Sequence, residues 1–208
     1  MGLPKAMLPF GPELLLQRVV RRLGEAVRPV VVAARAGQEL PVLPKWVHVV
    51  RDHQEDLGPM EGLKMALEWL QGSVEFAFVS GCDAPLLDPR FVSRMLELAD
   101  GFDIALPHVH GFDEPLAAVY RTGILAEVRQ LLTAGCYSVA LLFDRVVTRR
   151  VTIEELSDVD PRLQSLVNIN DLEAYRCALK LTLEGAEVPG NRYGGLGGHS
   201  CRSDCEGS

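Results

Sequence analysis

The sequence predicts an α/β protein with a mostly parallel central sheet, and three observations carry that expectation. Short, near-continuous apolar runs rich in β-branched or aromatic residues occur at 27–34, 47–50 and 76–79, the composition of strands buried on both faces. Stretches with helical spacing of apolar residues follow at 12–23, 63–70 and 91–98, so strand and helix patterns alternate as in βαβ units. The strands stop in loops bearing glycine or charge, most sharply at Ser80-Gly81-Cys82-Asp83-Ala84-Pro85. Asp83 is thereby expected just beyond the carboxyl end of a central parallel strand, the edge where open α/β sheets bind ligands. A carboxylate there is a candidate Mg²⁺ ligand, because that small, hard cation takes one or two carboxylate oxygens and fills its shell with water and phosphate. From the residues alone a second reading stands beside it, in which Asp83 only caps the next helix or opens a turn before Pro85.

A chain of 208 residues is long enough for one substantial core, and 48% hydrophobic with 24% charged residues excludes global disorder. The formal charge of −7 argues against non-specific binding to nucleic acid or an anionic membrane, both of which need a basic surface. No apolar run reaches the roughly 18 residues that span a bilayer, and the first residues lack the apolar stretch of a signal peptide, so the expected location is the cytoplasm. Five cysteines are an odd number; Cys82, Cys136 and Cys177 fall in core-forming segments and read as reduced thiols. Cys201, Cys205 and His199 sit in a Gly/Ser-rich tail without four ligands at a known zinc spacing, and disorder is expected over 185–208.

In chain order, residues 1–11 hold two prolines and two glycines and read as loop, with Lys5 its single cation. A lysine on such a loop pairs with phosphate as a point charge, or is an exposed surface lysine. Leu14, Leu15, Val19, Val20 and Leu23 then set a helix, with Arg18, Arg21 and Arg22 elsewhere on the wheel and Gly24 expected to end it. Arg35 follows the strand 27–34, where it either touches a base or phosphate or is solvated. Asp52 follows the strand 47–50. Gly58, Pro59 and Gly62 open the helix at 63–70, and glycines at such a turn let a ligand approach the backbone while the helix amino end offers free N–H groups. Asp88 should cap the helix 91–98 with Pro89 in its first turn. Strands are expected at 103–107, at 115–120 and, alternating, at 145–152, with a helix at 124–132 and a helix or turn from 139. His108 and His110 suggest a metal pair only faintly. Asn168 and Asn170 flank Ile169, which puts both amides on one side of an extended segment before a helix starting near Asp171.

The ordered set Met1-Gly2-Leu3-Pro4-Lys5, Arg51-Asp52, Leu57-Gly58-Pro59-Met60-Glu61-Gly62, Ser80 to Pro85, Pro115-Leu116-Ala117-Ala118-Val119-Tyr120 and Asn168-Ile169-Asn170 resembles the molybdenum cofactor guanylyltransferases. The resemblance covers residues 1–178. It implies a three-layer α/β/α nucleotidyltransferase fold, Rossmann-like, with a mostly parallel central sheet. It also implies transfer of GMP from GTP to the terminal phosphate of molybdopterin or Mo-molybdopterin, with release of pyrophosphate, Mg²⁺ as cofactor and other proteins of molybdenum cofactor biosynthesis as possible partners. Carried over by position, Lys5 contacts the triphosphate, Asp83 holds Mg²⁺ and Asp52 lies near the nucleotide. Gly58, Pro59 and Gly62 surround the guanine, and Asn168 and Asn170 lie near the metal or the second substrate.

Family members place a strand and a Leu-Ala-Gly-Gly-x-Ser-x-Arg loop before the segment matched by Met1 to Lys5. The expectation is therefore a nucleotidyltransferase domain over 1–184 that is incomplete at its amino end, with Met1 an internal methionine of a longer product. Two alternatives remain: a catalytically inactive binding module of the same fold, and a cytidylyltransferase differing only in its base pocket.

Overall fold

The computed structural model describes residues 4–51 and 58–184. The chain runs through β1 (Pro9–Phe10), β2 (Glu13–Leu14), α1 (Leu15–Ala26), β3 (Val30–Ala34), β4 (Val47–Arg51), α2 (Gly58–Leu70), β5 (Phe76–Ser80) and α3 (Pro89–Leu98). It continues through β6 (Ile104–Val109), β7 (Phe112–Asp113), β8 (Ala117–Arg121), α4 (Leu125–Thr133), β9 (Thr148–Val151), α5 (Ile153–Leu156) and α6 (Leu172–Glu184).

Period-two alternation in β6 and β8 builds the layers. Ile104, Leu106, Ala118 and Tyr120 pack with Met60, Leu63 and Leu67 of α2 and Leu125, Val128 and Leu131 of α4. Their neighbours Ala105, Val109, Ala117 and Val119 point the other way, onto Phe91, Val92 and Met95 of α3 and Leu156 of α5. Helices therefore cover both faces of the sheet. Each fully buried large apolar side chain contributes about 1.5–3 kcal/mol of transfer free energy. Tyr120 is fully buried as well, and its hydroxyl donates to the Pro115 carbonyl at 2.8 Å, so the phenol's polar end is satisfied inside the core; burial pushes its pKa well above the ordinary value.

The expectation of a mostly parallel sheet needs correction. β3 and β4 pair in parallel, as do β6 and β9. β8, however, lies antiparallel between β5 and β6, so the sheet order β5-β8-β6-β9 is mixed. The cause is the connection: the chain passes from β6 through the short β7 hairpin straight into β8, and a link without a crossover helix can only join antiparallel neighbours. An apolar run such as Pro115 to Tyr120 carries no sign of its direction. Among the described residues β3 pairs only with β4, and β5 only with β8. β5 accordingly stays half-buried along its whole length, short of the burial on both faces that its composition suggests.

Gly24 does not end α1, which runs through it to Ala26. A Cβ at 24 would fall 2.5 Å from the Trp46 ring, so the glycine there serves a close approach of that indole to the helix. Asp88 caps α3 as expected, its carboxylate accepting from the Arg90 N–H at 2.8 Å with Pro89 in the first turn.

Candidate active site

Three segments far apart in sequence meet beyond the carboxyl end of β5. The first is a 3-10 turn, Lys5–Met7, closed by Met7 N–H donating to the Pro4 carbonyl at 2.9 Å. Ala6 is buried with Leu16, Val20, Val30 and Val32, and Leu8 and Phe10 are buried on the α6 side, so the turn is pinned at both ends and Lys5 projects from it. The second is the loop after β5. Two arginines of α1 hold its main chain from below: Arg18 Nε donates to the Pro85 carbonyl at 2.8 Å and Arg22 Nε to the Leu87 carbonyl at 2.9 Å. The third is the extended 167–171 segment. Ile169 is fully buried, and its N–H donates to the Asp83 carbonyl at 2.8 Å, which locks the second and third segments in register. The buried Asp160 accepts from the N–H groups of Gln164 and Ser165, and Ser165 Oγ accepts from the Asp88 N–H, so the turn leading into this segment is fastened to the α3 cap.

The result is a small polar centre. Lys5 Nζ donates to Asp83 Oδ2 at 2.8 Å and to Asn170 Oδ1 at 2.8 Å. Asp83 is 19% exposed and Lys5 37%, so the lysine stem can be displaced while the carboxylate is fixed. Gly81 makes the carboxylate's pose possible. A Cβ at 81 would stand 2.4 Å from Asp83 Oδ1, so any side chain there would push the carboxylate away. The Asp83 carboxylate and Asn170 amide oxygen are hard donors already converging on one cation. Among the described residues no three His, Cys, Asp or Glu side chains cluster to enclose a metal. One carboxylate and one amide oxygen suit a hard divalent cation that takes its remaining ligands from phosphate and water, and not a closed zinc site. Beside this centre lies a mostly apolar cavity of about 560 Å³ lined by Leu8, Asn170, Asp171, Leu172 and Tyr175.

The other expected residues fall as follows. Asn168 stands two residues before Asn170 on the same segment, across the buried Ile169. Gly58 opens α2 with φ 68°, a conformation that favours glycine, and Pro59 beside it is exposed. Gly62 lies against Ala33, where an added Cβ would sit 3.6 Å from the Ala33 Cβ, so α2 rides close on β3. Arg35 begins the loop after β3; its N–H donates to Gln38 Oε1 at 3.0 Å and its carbonyl accepts from Arg51 at 3.1 Å. The start of α2 lies beside Ala33, near the carboxyl end of β3. Asp52, the residues 1–3 and the tail with His199, Cys201 and Cys205 lie outside the described residues.

Two further residues resolve differently from a catalytic pattern. His108 Nδ1 is 2.6 Å from Asp113 Oδ1, and Arg150 binds the same carboxylate, so His108 belongs to a lock on the β6–β7 hairpin. Cys82 packs toward Val30 and Val32; burial, with the neighbouring Asp83 charge, pushes its thiol up, so it is protonated and inert as a nucleophile. Arg18, Arg22 and Gly81 are the residues that sequence reasoning missed. Arg18 and Arg22 show only as charges beside an apolar stripe, and their targets are main-chain carbonyls more than sixty residues away.

The sequence profile of the MobA-like NTP transferase domain matches residues 1–148. The chain is 33% identical over 179 residues to a Methanosarcina mazei protein named "Probable molybdenum cofactor guanylyltransferase", covering 81% of this chain and 79% of that one. Among solved structures, molybdopterin-guanine dinucleotide biosynthesis protein A from Archaeoglobus fulgidus superposes with a TM-score of 0.72 at 19% identity, over 88% of this chain and 92% of that one. The 2-C-methyl-D-erythritol 4-phosphate cytidylyltransferase of Thermus thermophilus gives a TM-score of 0.67 at 18% identity, over 86% and 94%. At those identities the two structures speak for the nucleotidyltransferase fold alone, while the profile and the curated relative fix the family: this chain belongs to the MobA-like NTP transferases.

Proposed function

We propose that the protein is a molybdenum cofactor guanylyltransferase that moves GMP from GTP to the terminal phosphate of molybdopterin. The observation that carries the reading is the convergence of Lys5, Asp83 and Asn170 on one point, with hard oxygens and an ammonium arranged for a triphosphate. In the reaction an oxygen of the acceptor phosphate attacks the α-phosphorus of GTP, the bond to the bridging oxygen breaks, and pyrophosphate leaves with that electron pair. No covalent enzyme intermediate is needed, so the protein's work is alignment and charge stabilisation. Asp83 and Asn170 are the residues that would hold Mg²⁺, which would supply positive charge to offset that on the phosphates. Lys5 contacts the triphosphate as a mobile point charge. The amino end of α2, with Gly58, Pro59 and Gly62, receives the guanine, and Asp52 lies near the nucleotide. Arg35 stands on the same edge for base or phosphate. The largely apolar cavity beside Asn170, with Asn168 near it, takes the acceptor. The domain extends over residues 1–184, and the reaction belongs to the cytoplasm.

Pyrophosphate release from GTP and molybdopterin tests the reading. Asp83→Asn should lower turnover by about a thousandfold, as loss of a preorganised charge on a transferring phosphoryl group does, and leave the melting temperature unchanged because the carboxylate is outside the core. CTP should compete poorly, since polar groups left unpaired in a base pocket penalise the wrong base. Equal use of CTP would instead make the protein a cytidylyltransferase of this fold, and undiminished turnover by Asp83→Asn would remove Asp83 from the mechanism.

A further inference from the structure

Lys5 and a divalent cation compete for the same two oxygens. The ammonium holds both Asp83 Oδ2 and Asn170 Oδ1 at 2.8 Å, while Asp83 Oδ1 is turned against the Gly81 backbone, so the oxygen facing the centre is the one Lys5 occupies. A hard cation such as Mg²⁺ binds oxygen at about 2.0–2.1 Å, and two cations sharing one carboxylate face at such distances repel strongly in a partly desolvated site. Lys5 is also built to leave. It sits on a short turn, its stem is 37% exposed, and its reach is that of a flexible chain with a point charge at the end.

We propose that Lys5 is the resident cation of this centre in the absence of nucleotide, and that a bound nucleoside triphosphate draws its ammonium onto the phosphates and so releases Asp83 and Asn170 to the metal. The centre then takes a divalent cation together with a nucleotide and resists free metal. The second half of this proposal rests on the nucleotide-binding reading above; the first half rests only on the Lys5 contacts. Thermodynamic linkage makes the exchange reciprocal: whatever factor the nucleotide adds to metal affinity, the metal adds to nucleotide affinity. Lysine thereby couples the two ligands beyond their direct contact with each other.

The experiment is a titration of Mn²⁺, followed by the magnetic resonance signal of the free ion, into the nucleotide-free protein and its Lys5→Met and Lys5→Gln variants at neutral pH and fixed salt. Both variants should bind Mn²⁺ at least about tenfold more tightly than wild type, as removal of a neighbouring positive charge from a carboxylate site implies. Adding Asp83→Asn to Lys5→Met should abolish that gain, which ties it to this centre. GTP should tighten Mn²⁺ binding by a larger factor in wild type than in Lys5→Met. Thermal melts verify that each variant is folded; two replacements of different polarity at an exposed position guard against one failing. Equal nucleotide-free Mn²⁺ affinity in wild type and both folded variants overturns the proposal. If the variants gain affinity but GTP changes Mn²⁺ binding in none of the chains, the nucleotide reading fails and the resident-cation assignment of Lys5 stands.

Discussion

In the β5-β8-β6-β9 sheet, β6 and β8 are buried almost throughout, with Ile104, Ala105, Leu106, Ala118, Val119 and Tyr120 fully out of solvent. In the β3–β4 pair, β4 leaves His48 and Val49 exposed, and His48 is covered on one side only by the Trp69 ring at 4.3 Å. The two halves share α2, which packs on β3 and β5, but among the described residues no strand pairing crosses between them. Asp83 follows β5, the half-buried strand of the first sheet, and is fastened there by the bonds of Arg18, Arg22 and Ile169 to its loop; Arg35 follows β3 of the other. Burial is thus unequal between the two halves, and the side chains of β4 meet fewer neighbours than those of β6 and β8.

That division predicts unequal responses to the same insult. Leu106→Ala, which empties a fully buried site between two helices, should cost about 2–5 kcal/mol in chemical denaturation. Val49→Ala on the exposed strand should stay within about 0.5 kcal/mol. Comparable losses at both positions would show the halves to be equally constrained. A sharper probe sits at the junction. Gly81→Ala should leave the melting temperature nearly unchanged, because the only atom it meets closely is a side-chain end, yet lower turnover about 10–100-fold by moving the Asp83 carboxylate by the order of an ångström. A variant with full turnover would show that the carboxylate's pose is adjustable. The smallest effect concerns Glu13, which ties the β1–β2 hairpin to α1. The Arg21 hydrogen bond holds its carboxyl below the ordinary value of 4.5, against partial burial that raises it, with the Arg21 and Arg18 charges adding. A depressed acid stabilises the fold above its unfolded pKa and loses that contribution as pH falls through the folded value. Glu13→Gln should therefore destabilise by at most about 1 kcal/mol at neutral pH, given the solvent screening of Arg21. The gap from wild type should close as pH drops below 4.5. A gap that persists into acid would assign the effect to packing.

Much of the β5-β8-β6-β9 half was legible because its signals are local. The run Phe76 to Val79 followed by glycine, carboxylate and proline announces a strand end, and Asp88-Pro89 announces a helix start within two residues. Strand direction was not legible, since Pro115 to Tyr120 pairs equally well either way and only the short hairpin before it decides. Gly24 was misread for a similar reason: a glycine marks either a stop or a close approach, and Trp46, 22 positions on, is invisible to a local window. In the site, Lys5, Asp83 and Asn170 were each expected through the family resemblance, and the structure brings these three together. What holds them there, Arg18, Arg22 and Gly81, acts through main-chain carbonyls or through empty space, and neither leaves a pattern in composition.

The main-chain bond from Ile169 to Asp83 has a consequence for synthesis. Lys5 must find one partner 78 residues away and another 165 residues away, and the second is fixed only once residue 169 has paired. At a ribosomal pace of about 5–20 residues per second, the sheet through β9 can close while the 168–170 segment is still being made. A nascent chain therefore passes through an interval in which its lysine and carboxylate are present but the amide that completes the centre is not. The polar centre is one of the last parts of the described fold to be completed, and a chain released before residue 168 would keep most of the core and lack the amide that completes the site.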